Sequence, residues 1–201
     1  MLASIPFLPE MSSSIVDLGV ATIKTTVTSE ISEINRLVKT FLSNNKKIIG
    51  LDTERAIKIG KLPKTVLLQL YDGDYCLVVQ LPSEDDAVLP LSLFNFLNLP
   101  DLTFVGVGIH KSLMMLEREF GFTCKNAADI GPASWNLMSK NGAANLSYKM
   151  GDIFPTQKPT SPIFDDWSTS ALNEDQIKLA VSNAYLAFRT GCFLSTGFRV
   201  I

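Results

Sequence analysis

The feature that most constrains the fold is a pair of apolar, strand-like runs joined by a tight turn. Residues 65–71 and 75–81 flank Asp72-Gly73-Asp74, and an Asp-Gly turn between two such runs is a strong signal for a β-hairpin. A third run, residues 48–54, begins with four apolar or small residues and ends in two carboxylates. Its apolar part is typical of a strand buried on both faces. We therefore predict that the three runs are adjacent strands of one sheet.

The remaining segments alternate between helical and strand-like patterns. Five helices are predicted: one that follows a cap at Ser29, one that begins near Pro90 and ends before Pro100, one over 111–120 that ends at Gly121, one over 127–139, and one from a cap at Asn173 to about Leu194. Two further strands are predicted over 19–27 and 102–107. This order predicts the α/β class, with a mixed sheet flanked by helices. We expect an N-terminal arm over 1–18 and one domain over 19–201.

Length and charge limit the functions that the chain can have. At 201 residues it suits one domain with a full core. Because the net charge is −2, no broad basic surface is expected, and nucleic acid would need a local site, a metal or an oligomer. Three widely spaced cysteines fit a reducing compartment. No apolar stretch is long enough to span a membrane and no basic n-region begins the chain. We expect a cytoplasmic protein, with a nuclear location also open, and no membrane association.

Asp52 and Glu54 are the candidate catalytic and metal-binding residues. Side chains two apart on a strand share a face, so each carboxylate would raise the pKa of the other unless a positive charge intervenes. Mg²⁺ or Mn²⁺ prefers such hard oxygen ligands, and a pair of such ions can promote phosphodiester cleavage. The simpler alternative is that Glu54 pairs with Arg55 or Lys58.

Three segments together resemble the three sequence motifs of the DEDD-type 3′–5′ exonucleases, which have an RNase H-like fold. The first motif corresponds to residues 48–54 together with 64–70. The second corresponds to residues 104–109, which a helix follows. The third corresponds to Asp166-Trp167-Ser168 together with the helix that runs through Tyr185. The resemblance covers roughly residues 19–195. It is greatest to the Werner-syndrome-type branch, and within that branch to the small plant RISC-interacting clearing 3′–5′ exoribonucleases.

The resemblance implies a function, a cofactor and partners. The function is metal-dependent hydrolysis of single-stranded RNA or DNA, with RNA favoured, through Asp52, Glu54 and Mg²⁺ or Mn²⁺. The plant set further implies a ring-like homo-oligomer, such as a hexamer, with active sites near subunit interfaces. An Argonaute-containing silencing complex is the implied protein partner.

Three of the five family positions depart from the pattern. The third acid falls on Ser112, the fourth on Asn183, and the water-orienting tyrosine on Leu179. Since Mg²⁺ depends on charged ligands, a second ion would be lost or weak in an otherwise unchanged site. Three interpretations follow: an active enzyme with a rearranged site, a pseudo-exonuclease that binds nucleic acid without cutting it, or an interaction module. In the first, replacement acids would come from Asp129, Asp165, Asp166 or a neighbouring subunit.

Other polar residues near this site have both a functional and a structural interpretation. Four basic residues could steer phosphates or could simply form a solvated loop: Arg55, Lys58, Lys61 and Lys64. His110 could act as a base or ligand, or could be a polar residue near a helix start. Trp167 could stack on a base or anchor the packing.

Overall fold

The computed structural model describes residues 13–56, 62–82, 88–131, 167, 169 and 171–195. The strands in this part are β1 Ser13–Asp17, β2 Thr22–Thr28, β3 Ile48–Ala56, β4 Lys64–Tyr71, β5 Tyr75–Gln80, β6 Thr103–Gly106 and β7 Ala127–Asp129. The helices are α1 Ile31–Ser43, α2 Leu91–Leu97, α3 Ile109–Phe120 and α4 Glu174–Ser195. None of these helices is both long enough and apolar enough to cross a bilayer.

The strands form one mixed sheet in the order β1-β2-β5-β4-β3-β6-β7. Strand β4 pairs antiparallel with both β3 and β5, and β1 pairs antiparallel with β2. The pairs β2–β5, β3–β6 and β6–β7 are parallel. The three runs predicted to be neighbours are therefore neighbours, and the predicted mixed sheet is confirmed.

Helices cover both faces of the sheet. On one face, Leu51, Leu68 and Leu77 are almost fully buried in a cluster with residues of α1, α2 and α3. On the other face, Leu67 and Val78 pack in a cluster with α4. Because successive strand residues point to opposite faces, every second residue of β3 faces α4, which decides where the candidate site lies.

Two helix ends follow the predicted capping chemistry. At the start of α4, Gln176 N donates to Asn173 Oδ1 at 2.9 Å, and Asn173 N donates to Gln176 Oε1 at 3.0 Å. This reciprocal pair is a capping box, which satisfies amides that the first turn leaves without partners. Helix α3 ends at Gly121, whose φ of 74° is left-handed and therefore favours glycine. At α1, by contrast, the N-cap is Glu30 rather than Ser29, with no side-chain cap.

Two segments differ from the sequence prediction. Residues 127–129 form strand β7, parallel to β6, and are not part of a helix. Their alanines favour a helix locally, but the unpaired edge of β6 offers backbone partners and overrides that preference. Residues 13–17, assigned to the N-terminal arm, form β1 at the other edge of the sheet. Residues 1–12 and 132–139 lie outside the described residues, so the domain division at residue 18 stays a prediction.

Candidate active site

Asp52 and Glu54 lie on the α4 face of β3, near the middle of the sheet. Glu54 is buried, with 7% of its surface exposed, and Asp52 is partly buried. Thr53 between them points to the opposite face, as strand alternation requires. The structure thus places the two predicted carboxylates on one face beneath a helix. Whether they bind a metal stays a prediction.

Asn183 of α4 lies directly against one of these carboxylates. Its Nδ2 donates a hydrogen bond to Glu54 Oε1 at 3.2 Å. The amide nitrogen of Asn183 thus faces Glu54 Oε1, and its amide oxygen does not face the same atom. At this position, where the family resemblance places an acid, the chain therefore presents a neutral donor.

Gly50 explains how α4 comes so close to β3. A Cβ on Gly50 would lie 2.2 Å from Ala184 O and 2.8 Å from Phe188 N, distances that no side chain tolerates. Glycine therefore lets the helix backbone rest on the strand backbone. Asn183 precedes Ala184 in α4, and this close approach brings it within hydrogen-bonding distance of Glu54.

Ser112 and Leu179, the other two departures from the family pattern, have different surroundings. Thr53 Oγ1 donates to Ser112 Oγ at 2.9 Å, which ties Ser112 to the residue between the two carboxylates, on the α3 side of the strand. Leu179 is half-buried and packs with the apolar cluster under α4. Neither side chain carries charge toward Asp52 or Glu54.

Asp129 stabilises the turn that leads into α3. Its Oδ1 accepts hydrogen bonds from Gly108 N and Gly131 N, both at 3.0 Å. Asp165 and Asp166, the other proposed replacement acids, lie outside the described residues. Within the part of the chain that is described, no group of three or more His, Cys, Asp or Glu side chains comes together.

Arg55 takes part in a hydrogen-bonded cluster that joins β3, β4 and α3. Its guanidinium bonds Glu119 Oε1 and Thr65 Oγ1, each at 2.8 Å, and the Pro63 carbonyl. Glu119 Oε2 also accepts a bond from Thr65 N at 2.7 Å. Burial alone would raise the pKa of Glu119, but the hydrogen bonds from Thr65 and Arg55 outweigh it and hold that pKa below its usual range.

No sequence pattern predicts this cluster, because Arg55 and Glu119 are 64 positions apart and neither lies in a recognisable pair. The alternative pairing of Arg55 with Glu54 is disfavoured, because adjacent strand residues point to opposite faces. The ion pair that Arg55 makes is with Glu119, at 2.8 Å.

Two of the other predicted nucleic-acid contacts, Lys64 and His110, lie near opposite ends of α3. The Lys64 ammonium lies 5.5 Å from the centroid of the Phe120 ring, and His110 is exposed in the first turn of α3. Lys58 and Lys61 lie outside the described residues. Trp167 is 6% exposed within the α4 cluster, where its ring packs. Contact of the basic residues and His110 with nucleic acid stays a prediction.

Gln69 is a further polar residue near the site that the sequence analysis did not single out. It lies on β4 directly opposite Asp52 in the antiparallel register and is 0% exposed. The available signal was a polar residue inside an otherwise apolar run that predicts a central strand.

Comparison with known proteins identifies the fold. No protein-family model and no curated protein matches the chain. Among solved structures, the Aedes aegypti Nibbler EXO domain superposes with a TM-score of 0.66 at 13% identity, covering 86% of this chain and 87% of that one. Escherichia coli RNase D, an exoribonuclease involved in structured RNA processing, gives 0.64 at 18% identity, covering 86% of this chain and 44% of its own length. Brucella melitensis NrnC gives 0.59 at 18% identity, with 76% and 73% covered.

The chain has an exonuclease-type, RNase H-like fold. The predicted fold class is thereby confirmed. In this fold, residues 48–54 lie in β3, residues 104–109 span the end of β6 and the start of α3, and Tyr185 lies in α4. Strand β6 is the parallel neighbour of β3, and α4 rests on β3 at Gly50.

Proposed function

We propose that this chain is a divalent-metal-dependent 3′–5′ exonuclease that acts on single-stranded nucleic acid, with RNA as the favoured substrate. One observation carries the proposal: Asp52 and Glu54 lie on the same face of β3, under α4, in an exonuclease-type fold. Two carboxylates on one face repel each other unless they share a proton or a positive group lies between them, and a divalent cation would provide that positive charge.

The donor set fits one Mg²⁺ or Mn²⁺ ion. Carboxylate oxygens are the ligands that these ions prefer, and Asp52 and Glu54 would hold the ion between them. A bound ion of this kind activates water and neutralises charge on the phosphate. Glu54 is held by the hydrogen bond from Asn183, so the protein fixes the position of one ligand in advance. A second ion would need further acids.

The oligomer would provide those acids. We propose that the chain belongs to the Werner-syndrome-type branch and assembles with itself, so that carboxylates of a neighbouring subunit complete the site. Membership of the plant RISC-interacting set would make an Argonaute-containing silencing complex its partner, in the cytoplasm. Size-exclusion chromatography with light scattering tests the assembly, because a monomeric enzyme with full activity would rule out completion by a neighbour.

A second candidate function is that of a pseudo-exonuclease, which binds nucleic acid without cutting it. The hydrogen bond from Asn183 to Glu54 favours it, because a neutral amide already stabilises a carboxylate that would otherwise require a metal. Ser112, bonded to Thr53, adds no charge. Such a protein would retain the fold and a surface for single strands.

Digestion of 3′- and 5′-end-labelled single-stranded RNA and DNA distinguishes these functions. With Mg²⁺ or Mn²⁺, the wild type should shorten the strands from the 3′ end, and Asp52→Ala/Glu54→Ala should lose at least about 100-fold in rate. Asp101→Ala/Glu117→Ala, which removes two exposed carboxylates, is the matched control and should retain activity. Strands that are bound in a gel-shift assay but never shortened would establish the pseudo-exonuclease instead. A wild type that neither binds nor cuts would overturn both functions.

A further inference from the structure

We propose that Ser112 and Glu119 of helix α3 are positioning residues for Glu54, because they hold the strand β3 on both sides of it. This inference rests on the proposed function, since it gives α3 the task of fixing a metal ligand. The hydrogen bonds that carry the inference are present without metal, so part of its test needs none.

The two residues that flank Glu54 in β3 are both bonded to α3. On one side, Thr53 Oγ1 donates to Ser112 Oγ at 2.9 Å. On the other side, the Arg55 guanidinium donates to Glu119 Oε1 at 2.8 Å. Because side chains alternate along a strand, Thr53 and Arg55 point to the face opposite Glu54. Helix α3 therefore holds the strand behind Glu54 at two points, one on each side of it.

The positions of the two residues on α3 match this role. Ser112 lies in the first turn and Glu119 in the last turn, and a separation of seven positions is about two turns, so both lie on one face of the helix. Leu116, between them on that face, is 0% exposed and packs in the cluster that contains Leu51 of β3. Apolar packing holds the helix against the sheet, and the directional bonds at its two ends fix its position along the strand.

The Glu119 end also secures an irregularity in the pairing of β3 with β4. The register shifts between Glu54 and Arg55, and such irregularities next to active sites commonly redirect a side chain. Thr65, the β4 partner of Arg55, donates its backbone N–H to Glu119 Oε2 at 2.7 Å. Glu119 therefore bonds both strands where the register changes, which fixes the path of the main chain immediately after Glu54.

Glu54 is consequently held from both faces of the sheet. On the α4 face, Asn183 Nδ2 donates to its Oε1 at 3.2 Å. On the α3 face, both of its neighbours in β3 are bonded. Helix α4 thus sets the place of the carboxylate, and α3 sets the main chain from which the carboxylate projects. Hydrogen bonds outside a metal site orient its ligands and influence the metal affinity.

Isothermal titration of the folded protein with Mn²⁺ tests the positioning role. Ser112→Ala removes one bond without a change of charge, and Glu119→Asp shortens the carboxylate while keeping its charge. We expect each change to lower the Mn²⁺ affinity about tenfold, whereas Ser112→Thr, which keeps the hydroxyl, should bind Mn²⁺ like the wild type. The matched controls are Ser92→Ala, which removes a hydroxyl that bonds Asn35, and Glu117→Asp, exposed on α3. Both controls should bind Mn²⁺ like the wild type.

A merely structural role would give a different result in the same titration. Ser112→Ala and Glu119→Asp would then melt at lower temperatures but bind Mn²⁺ with wild-type affinity below those temperatures. That result would overturn the inference.

A double-mutant cycle in metal-free buffer tests the positioning independently. Thr53 and Asn183 lie on opposite sides of β3 and are connected through Glu54. Urea unfolding of Thr53→Val, Asn183→Ala and the pair should show non-additivity of at least about fivefold in the unfolding equilibrium constant. The same cycle with Ser92→Ala in place of Thr53→Val should be additive.

The outcomes of the cycle separate the inference from the proposed function. An additive Thr53–Asn183 cycle refutes the positioning role whatever the metal does. Non-additivity in a wild type that binds no Mn²⁺ would support the positioning of Glu54 while overturning the proposed metal-dependent function.

Discussion

Asn183 on helix α4 donates a hydrogen bond to Glu54 on strand β3, with 3.2 Å between Nδ2 and Oε1. The two residues are 129 positions apart in the sequence, so the contact depends on the whole fold. The neutral amide of Asn183 satisfies one Glu54 oxygen by a hydrogen bond, where a cation would act by charge. Replacing this donor by an acid therefore tests what the site is built to hold.

We predict that Asn183→Asp makes the protein less stable without metal and more responsive to metal. Two carboxylates at this distance repel each other unless they share a proton or bind a cation. The metal-free melting temperature should fall by several degrees, on the order of 2–4 °C per kcal/mol for a chain of this size. Saturating Mn²⁺ should raise it by more than in the wild type. Differential scanning calorimetry with and without Mn²⁺ measures both, with exposed Asn95→Asp as the control. Equal metal-free melting temperatures would contradict the repulsion.

We predict that Ser112→Asp adds activity only together with Asn183→Asp. The side chain at position 112 lies on the α3 side of β3, where Ser112 bonds Thr53. An aspartate at this position alone should therefore add little to the cleavage rate. In a pseudo-exonuclease with an intact scaffold, the double variant should gain at least about 100-fold in single-strand cleavage with Mn²⁺. If acids from elsewhere already complete the wild-type site, the double variant should gain little in cleavage rate. Leu179→Tyr should help only in the double variant, since its hydroxyl would orient a water that needs the ions.

Gly50→Ala should destabilise the protein because the added methyl meets the backbone of α4. The new Cβ would lie 2.2 Å from Ala184 O, and relieving that clash requires the whole helix to move. We expect a loss of at least about 1–3 kcal/mol in the free energy of unfolding, measured by urea denaturation. Gly191→Ala is the matched comparison, since the atoms nearest to its Cβ would belong to the Val105 side chain, at 2.6 Å, and not to the backbone. A smaller loss at Gly50 than at Gly191 would show that the helix is not seated as described.

We predict that the ionised Glu119 carboxylate makes the free energy of unfolding depend on pH. Its pKa is lowered from 4.5 in the folded protein, so it stabilises the fold fully above that value. This stability is lost as the pH falls from about 4.5 through the folded pKa. Glu119→Gln should therefore be less stable than the wild type at neutral pH and lose less stability on acidification. Urea unfolding between neutral pH and acid measures this. Glu117→Gln, exposed on the same helix, should follow the wild-type pH profile, and an identical profile for Glu119→Gln would contradict the argument.

The sequence predicts the centre of this fold better than its edges and its polar contacts. The hairpin around Asp72-Gly73-Asp74 and the Asn173 cap of α4 are encoded within a few residues, and both are found as predicted. Strand β7 is only three residues long, and its conformation is set by the open edge of β6 rather than by its own alanines. The bonds of Arg55 and Asn183 join residues distant in sequence, so no local pattern could have revealed them.

Gly50 also bears on how such a site can change over generations. The helix that carries Asn183 rests on the sheet through main-chain atoms, so its seat does not depend on which polar side chains surround the carboxylates. An asparagine codon becomes an aspartate codon by a single-nucleotide substitution. An exchange between asparagine and aspartate at this position would therefore change the charge beside Glu54 while the main-chain contact that seats the helix stays in place.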